Sequence, residues 1–302
     1  MRYSGHETFP CRHAWLPKAY RALSDNADAL AEDEGAMVAL GLGKNMVRSL
    51  RFWVQAMGVA EQHGRAFRVT PFADAVFGQG GYDPFLEDIR TLWLLHWKLS
   101  SHRHDPLFAW HFLLCRWQHP EVCRSEVLDA FLRESPTHSR VTLEQHLDIF
   151  LHSYLPSRGR TAASEEDGLD CPLVDLELLQ PIGERRTGTS GRKEPIYAFR
   201  REPKPEITHG LFAYCLNEFW DTWHKEEQTL PFRRVAVAEG SVGQVFKLPE
   251  DDLRARLERL ESVTKGRFTY RASAAQPLVT RNPTIKSSDL LKMAYNQERA
   301  DV

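Results

Sequence analysis

The stretch "GAMVALGLGKNMVRSLRFWVQAMGVAEQHGRAFRVTPFADAVF", residues 35–77, has the clearest structural pattern of the chain. It reads as a short helix, a tight turn at Gly41 and Gly43, a longer helix over residues 44–57, and two strands around "HGR". A helical pattern over residues 14–30 precedes it. Helix, helix, turn, helix and hairpin is the order of elements in a winged helix-turn-helix, so the sequence predicts that fold near the N-terminus.

The longer helix is predicted to have two distinct faces. Apolar residues at positions i, i+4, i+7, i+8 and i+11 form a packing stripe: Met46, Leu50, Trp53, Val54 and Met57. Polar residues at i, i+4, i+7 and i+11 form a second, mainly cationic face: Lys44, Arg48, Arg51 and Gln55. At about 100° per residue the centres of the two faces lie more than ~90° apart. The helix is therefore expected to pack with one face and to offer the other to the major groove of DNA.

The local charge supports this interpretation. The whole chain has a net charge of −2, but residues 44–70 contain five bases against a single acid, Glu61. A basic segment confined to one element is typical of contact with a polyanion, although most charged helix faces are simply solvated. Arg48 and Arg51 are expected to reach base edges, and Lys44 to hold a phosphate. The complete predicted DNA-binding set is Lys44, Asn45, Arg48, Arg51, Gln55, Arg65 and Arg68.

The overall composition indicates a globular protein. Apolar residues make up 42% of the 302 residues, and eight Trp with sixteen Phe can supply large buried surfaces. Neither an apolar run long enough to span a membrane nor a secretory signal is present, so a cytoplasmic location is expected. The five scattered cysteines fit reduced thiols. A zinc site in "CRWQHPEVC" is possible in principle, but Pro120 interrupts the helix that would align its ligands.

A second copy of the helix pattern follows 97 residues later, in "RVTLEQHLDIFLHSYL". Its outward positions are Gln145, Asp148 and His152, which make a poor phosphate-binding face, so this copy is expected to be structural or to contact a protein. The predicted fold class is mainly α with small β hairpins (α+β). Three domains are predicted: a winged helix-turn-helix over residues 1–80, a helical region with a second winged-helix-like unit over residues 81–204, and an α+β region over residues 205–302.

Two clusters are candidates for catalysis on DNA. In "SGHETFPCRHAWLPK", residues 4–18, His6, Glu7 and Arg12 could bind a metal, move a proton or contact a phosphate. Neighbouring residues of a strand point to opposite faces, which argues against His6 and Glu7 acting together. In "YDPFLEDIR" the carboxylates are those of Asp83, Glu87 and Asp88. Asp followed by Pro is also a common helix start, so a capping role is the favoured interpretation of this cluster.

Six sequence blocks together resemble the domain-of-unknown-function family four thousand and seven (DUF4007). They occur in the family's order between residue 4 and about residue 260: "SGHETFPCRHAWLPK", "GLGKNMVRSLRFW", "YDPFLEDIRTLWLLHWKL", "LDCPLVDLELL", "EPIYAFRREPKP" and "GQVFKL". The resemblance implies an SspB-like component of a bacterial DNA phosphorothioation system that nicks one strand of DNA in phage defence. It also implies partners: a cysteine desulfurase, a sulfur-transfer protein and an ATPase of the same system.

The sequence thus leaves three functional hypotheses. The first is a single-strand nicking endonuclease that binds double-stranded DNA and uses a divalent metal ion, Mg²⁺ or Mn²⁺. The second is an adaptor that binds DNA and recruits the sulfur-transfer proteins without cutting. The third is a winged-helix transcriptional regulator, which the length of the chain and its second unit disfavour.

Overall fold

The computed structural model describes residues 1–156, 170–187, 192–273, 276–282 and 286–296. It consists of helices with small antiparallel sheets, which confirms the predicted α+β fold class. The chain forms two compact units. The first comprises Met1–Leu99, Leu107–Ala109 and Gln118–Arg200, and the second comprises Ser100–Pro106, Trp110–Trp117 and Arg201–Val302. The division into three domains stays a prediction.

The N-terminal part of the first unit has the order of elements expected from the sequence. Gly41 takes a left-handed conformation (φ 62°) that ends the second helix, and Gly43 is the N-cap of the third. The winged-helix interpretation of this part stays a prediction. Its elements are α1 (Trp15–Asp25), α2 (Asp33–Leu40), α3 (Lys44–Ala56), β1 (Ala60–His63), β2 (Ala66–Val69) and α4 (Pro71–Phe77).

The remainder of the first unit contains the second helix pattern; of the elements given below, the last residue of α5 and the last two of α6 are assigned to the second unit. A short 3₁₀ helix, Pro172–Leu176, precedes its hairpin. The sheet is antiparallel in the order β3-β5-β4, so its first strand pairs with its last. The elements are α5 (Ile89–Ser100), α6 (Phe108–His111), β3 (Glu121–Cys123), α7 (Arg124–Glu134), α8 (Arg140–Tyr154), β4 (Leu179–Thr187) and β5 (Arg192–Phe199).

The second unit is built around α9 (His209–Trp223), which packs against α13 (Ser287–Tyr295). The backbones approach closely at Gly210, where a Cβ atom would lie 2.3 Å from the carbonyl oxygen of Met293. A π-helix, Phe112–Arg116, also belongs to this unit. The other elements are β6 (Thr229–Pro231), α10 (Phe232–Val237), α11 (Val242–Val245), α12 (Glu250–Val263), β7 (Phe268–Arg271) and β8 (Leu278–Arg281). Their sheet has the order β6-β8-β7.

One arrangement therefore recurs along the chain: paired helices followed by a hairpin. In the second and third copies a strand precedes the helices and pairs with the last strand of the hairpin. Equivalent positions on the longer helices, separated by 97 and 106 residues, contact the first residue of an earlier helix in each copy, namely α2, α7 and α10. In the third copy the short α11 lies between the two helices in sequence. These pairs are Arg51 with Asp33, Asp148 with Arg124, and Arg254 with Phe232.

Candidate nucleic-acid interface

The N-terminus of α3 is open to an anion. The N-cap Gly43 has no side chain that could cap the helix, and the first turn contains Lys44 and Asn45 but no acid. The first backbone N–H groups of a helix lack intrahelical partners and carry partial positive charge, so they favour negative ligands. Lys44 and Asn45 are both exposed beside these groups. This end of α3 can therefore receive a phosphate.

The apolar stripe of α3 is buried as the sequence predicted, whereas its cationic face is only partly exposed. Leu50, Trp53, Val54 and Met57 have no exposed surface, and Met46 is half-buried. The cationic face is graded in exposure. The side chains of Lys44 and Arg48 are 58% and 46% exposed, whereas that of Arg51 is only 17% exposed. Two of the three cations can therefore reach a partner without rearrangement.

Asp33, the first residue of α2, lies among all three cations. Its Oδ1 accepts a hydrogen bond from Nη1 of Arg51 at 2.6 Å. Its Oδ2 lies 3.4 Å from Nη2 of Arg48 and 3.7 Å from Nζ of Lys44. The hydrogen bond from Arg51, assisted by the nearby positive charges, lowers the pKa of the Asp33 carboxyl. The cationic face thus contains an ionised acid that comes from a neighbouring helix.

Arg51 and Gln55 are held by contacts within the protein. Nε of Arg51 donates to the carbonyl oxygen of Leu30 at 2.6 Å, in addition to the bond with Asp33. Nε2 of Gln55 donates to the carbonyl oxygen of Arg51 at 3.0 Å. In this arrangement Arg51 fixes Asp33 and the α1–α2 connection rather than projecting outward. To reach base edges, as the sequence predicted, Arg51 would have to give up its hydrogen bonds to Asp33 and Leu30.

The hairpin adds two exposed cations, Arg65 and Arg68. Arg68 lies opposite Glu61 in the β1–β2 ladder, so part of its charge is offset across the strands. Arg65 lines a cleft of about 710 Å³ together with acidic residues at the end of α1 and in the α1–α2 connection. Those acids are Asp25, Asp28 and Glu32. The hairpin is thus less strongly cationic than its sequence alone indicates.

The fold places the three residues of the first catalytic candidate, His6, Glu7 and Arg12, in different surroundings. His6 is 4% exposed, and its Nε2 lies 3.1 Å from Nδ1 of His146 on α8. Nε2 of His146 in turn accepts the backbone N–H of Ala109 at 3.1 Å. Burial lowers the pKa of His6 to about 4, and burial together with the neighbouring His6 lowers that of His146 to about 3. Both rings are therefore neutral at pH 7 and join the N-terminal segment to α8.

Glu7 and Arg12 lie elsewhere. Glu7 is exposed and has a positive φ of 47°, in a turn that carries it away from the buried His6. The guanidinium of Arg12 lies 5.6 Å from the ring centroid of Trp15. The hydrogen bond of His6 thus joins it to His146, and the grouping of His6, Glu7 and Arg12 as a catalytic set stays a prediction without geometric support.

The second cluster caps the start of α5. The carboxylate of Asp83 is 5% exposed and accepts the backbone N–H groups of Glu87 at 2.8 Å and of Asp88 at 3.0 Å. Asp88 accepts the amide and the guanidinium of Arg90, at 2.9 Å and 2.6 Å. Burial alone would raise the pKa of Asp88, but the bonds and charge of Arg90 lower it overall. Asp88 thus caps α5, which begins at Ile89, whereas Asp83 accepts N–H groups of the turn before it. The helix start that the sequence indicated at Pro84 is not formed, because these residues make a turn instead.

The carboxylates of Asp83 and Asp88 do not fit a divalent metal ion. Among the described residues, no group of three or more His, Cys, Asp or Glu side chains is placed to bind one. The oxygens of Asp83 and Asp88 already accept from backbone amides and Arg90. Mg²⁺ binding usually relies on carboxylates that are open to the ion and its waters. The requirement for Mg²⁺ or Mn²⁺ therefore stays a proposal that these residues do not explain.

A buried lysine in the second unit also has a structural explanation. Nζ of Lys247 donates to the carbonyl oxygens of Leu113, at 3.3 Å, and of Leu114. Both carbonyls belong to the π-helix, whose last turn needs donors from outside the helix. Burial lowers the pKa of Lys247 to about 7. The perturbed lysine thus satisfies this backbone instead of forming a separate site.

Sequence reasoning missed two important residues, Asp33 and His146. Asp33 belongs to the acidic run "DALAEDE", which precedes the basic segment, but only helix packing shows which acid meets the cations. His146 is 97 residues after Ser49, and both residues contact the N-terminal segment. Ser49 Oγ donates to the carbonyl oxygen of Phe9 at 3.3 Å, as does Trp53 Nε1 at 2.9 Å. The repeated spacing was therefore the available signal for His146.

None of the helices in the described residues is both long and apolar enough to span a membrane.

Two solved structures are similar to the chain, "SspB crystal structure" and "Magnesium ion-bound SspB crystal structure". Each shares 25% sequence identity and a TM-score of 0.81, with 96% of this chain and 87% of that chain covered. No curated protein matches. The family described as "Protein of unknown function (DUF4007)" matches residues 3–295, nearly the whole length, and the chain therefore belongs to the DUF4007 family.

Proposed function

We propose that the chain is the DNA-binding, SspB-like component of a DNA phosphorothioation system and that it contacts duplex DNA through α3. The observation that carries the proposal is the face of α3 that has no acid of its own and bears the exposed Lys44 and Arg48 beside an open helix N-terminus. A helix N-terminus and two exposed cations supply the positive charge that a phosphate backbone attracts. The similarity to SspB structures supports a related role.

In the proposed interface some residues contact DNA and others hold the helix in place. Lys44 and Arg48 contact the DNA directly, and Asn45 lies where the N-terminal end of a recognition helix meets base edges. Arg65 and Arg68 on the hairpin add outer phosphate contacts. Arg51 positions the α1–α2 connection through Asp33 and Leu30. Gln55 lies one turn beyond Arg51 and supports the same helix.

The binding proposal is tested with a fluorescein-labelled duplex at low salt. Lys44→Ala combined with Arg48→Ala should weaken binding by at least about tenfold, because two phosphate contacts are removed. The matched control is Val141→Ala with Gln145→Ala, the residues 97 positions later on α8. The control should bind like the wild type. Equal affinity of the double variant and the wild type would reject α3 as the DNA-binding element.

We further propose that the protein nicks one DNA strand with the help of a divalent metal ion. This part rests on the resemblance to SspB, one of whose structures is described as magnesium ion-bound. The partners proposed with it are the ATPase, sulfur-transfer and cysteine desulfurase proteins of the same system. His6, Glu7 and Arg12 are retained as residues to test, with Asp83, Glu87 and Asp88 as the alternative, although contacts within the fold explain His6, Asp83 and Asp88.

A supercoiled-plasmid assay with Mg²⁺, Mn²⁺ or EDTA tests the nicking proposal. Metal-dependent conversion to open circles by highly purified protein supports it, and binding without conversion favours the non-cutting adaptor. Glu7→Gln is the most informative variant, because Glu7 is exposed and its removal leaves the His6–His146 contact intact. Asp83→Ala needs a thermal-denaturation control, since it removes two backbone hydrogen bonds.

A further inference from the structure

Asp33 contacts the same cations of α3 with which we propose that DNA phosphates pair. Its two oxygens contact three cations, all of which lie on one side of α3. The contacts differ in strength. The bond to Arg51 is short and partly buried, at 2.6 Å, whereas the contacts to Arg48 and Lys44 are longer, at 3.4 Å and 3.7 Å.

The bond from Arg51 therefore anchors Asp33, whereas the contacts with Lys44 and Arg48 are weak. Arg51 is itself fixed by the carbonyl oxygen of Leu30, so it holds the Asp33 carboxylate in one place. Lys44 and Arg48 are about half exposed and reach Asp33 with flexible side chains. Exposed ion pairs of this kind contribute little to stability and exchange readily. A phosphate could therefore replace Asp33 as the partner of Lys44 and Arg48 while Arg51 and Asp33 stay paired.

We infer that Asp33 is a specificity-determining residue, an internal competitor that weakens binding of α3 to DNA of arbitrary sequence. The inference rests on the proposed function of α3. Binding to arbitrary DNA depends almost entirely on phosphate contacts, so a fixed anion among the cations penalises it directly. Binding to a target sequence also gains base contacts, which offset the loss of the Asp33 contacts. Disfavouring the wrong partner in this way increases discrimination between sites.

The test compares the affinities of Asp33→Asn and the wild type for a fluorescein-labelled duplex of random sequence. Asn keeps an oxygen for Arg51 but removes the charge, so binding should tighten about fivefold at low salt, with a steeper salt dependence. Glu34→Gln is the matched control, since it removes the same charge from the neighbouring exposed position of α2. This control should change the affinity by less than about twofold.

Two further measurements separate the possible failures. In the Lys44→Ala, Arg48→Ala background, Asp33→Asn should produce little gain, because the cations released by Asp33 are gone. If that double variant binds like the wild type, the proposed function fails and the inference fails with it. If the double variant loses affinity but Asp33→Asn gains no more than Glu34→Gln, or binds more weakly, only the inference about Asp33 is overturned. Asp33→Ser with a circular-dichroism melt replaces Asp33→Asn if the latter does not fold.

Discussion

Helices α3 and α8 share their packing and differ in their surface. The apolar stripe of α3 recurs 97 residues later on α8, where Leu143, Leu147 and Phe150 have no exposed surface. Their N-termini differ: α3 begins after Gly43, whereas Ser139 Oγ accepts the N–H of Thr142 at 3.1 Å and caps α8. The end of α8 is therefore already occupied by its own side chain. The same fold element is open to an anion in one copy and closed in the other.

The ion pair at equivalent positions is reversed in sign. On α3, Arg51 contacts Asp33, the first residue of α2, whereas on α8, Asp148 contacts Arg124, the first residue of α7, at 2.8 Å. A cation at a helix N-terminus opposes the helix dipole. Glu194 compensates by accepting the backbone N–H of Ser125 at 2.7 Å. The two helices therefore share their buried packing and differ in the charge of their exposed faces. A function assigned to either helix has to rest on the side chains of its exposed face.

The largest expected effect tests what the two helices share. Trp53→Ala on α3 and Phe150→Ala on α8 each remove a fully buried ring. Each should lower the free energy of unfolding by about 3–5 kcal/mol, because apolar contacts are lost and a cavity remains. Urea denaturation followed by circular dichroism measures both. A cost below about 1 kcal/mol at either position would show that this ring is not part of a common packing pattern.

The next effect concerns the N-terminal segment, which contacts α3 through Phe9 and α8 through His6. The folded-state pKa of His6 is about 4, below its ordinary value of 6.5, so between these pH values the unfolded chain binds a proton that the folded chain does not. The contribution of the neutral His6 to the free energy of unfolding is therefore fully present above pH 6.5. It decreases by roughly 3 kcal/mol as the pH falls toward 4.

Urea denaturation between pH 7 and pH 4.5 measures this decline. His6→Gln should flatten the pH dependence relative to the wild type, although it also removes part of the contact with His146. Ser49→Ala is the matched control on α3, because it loses one hydrogen bond to the same segment without removing a titrating group. Equal pH dependence of His6→Gln and the wild type would contradict the buried, neutral state of His6.

The smallest expected effect concerns the reversed ion pairs. Asp33→Asn and Arg124→Gln should each lower the melting temperature only slightly, since the pairs are partly exposed. Their effects on DNA affinity should nevertheless differ, because only Asp33 lies beside exposed cations. Thermal melts combined with binding assays compare the two variants. A change in DNA affinity from Arg124→Gln equal to that from Asp33→Asn would remove the functional distinction between the helices.

Local patterns predicted the parts of the fold that depend on local interactions. Apolar spacing located α3 and α8, and the turn signals at Gly41 and "HGR" located the element boundaries around them. The three-residue strands β3 and β6 were not predicted, because each is defined by pairing with a strand about 50 residues or more away. The third copy of the arrangement was missed for the same reason.

The candidate site was predictable in outline only. The spacing of charges located the exposed face with Lys44 and Arg48. It could not show that Arg51 is committed to Asp33 and Leu30, because that depends on how α2 packs against α3. The pairing of His6 with His146 joins residues 140 positions apart, so no local pattern reveals it. For this reason the residue types of the motif alone indicated His6 as a catalytic candidate, although it is a buried structural histidine.

The most direct test of the central claim is the salt dependence of duplex binding by three proteins. These are the wild type, Lys44→Ala with Arg48→Ala on α3, and Val141→Ala with Gln145→Ala on α8. If α3 contacts the phosphates, the slope of log K against log salt becomes shallower by about 2 for the α3 variant, and the α8 variant keeps the wild-type slope. Identical slopes for all three proteins, or a change confined to the α8 variant, would contradict the assignment of DNA binding to α3.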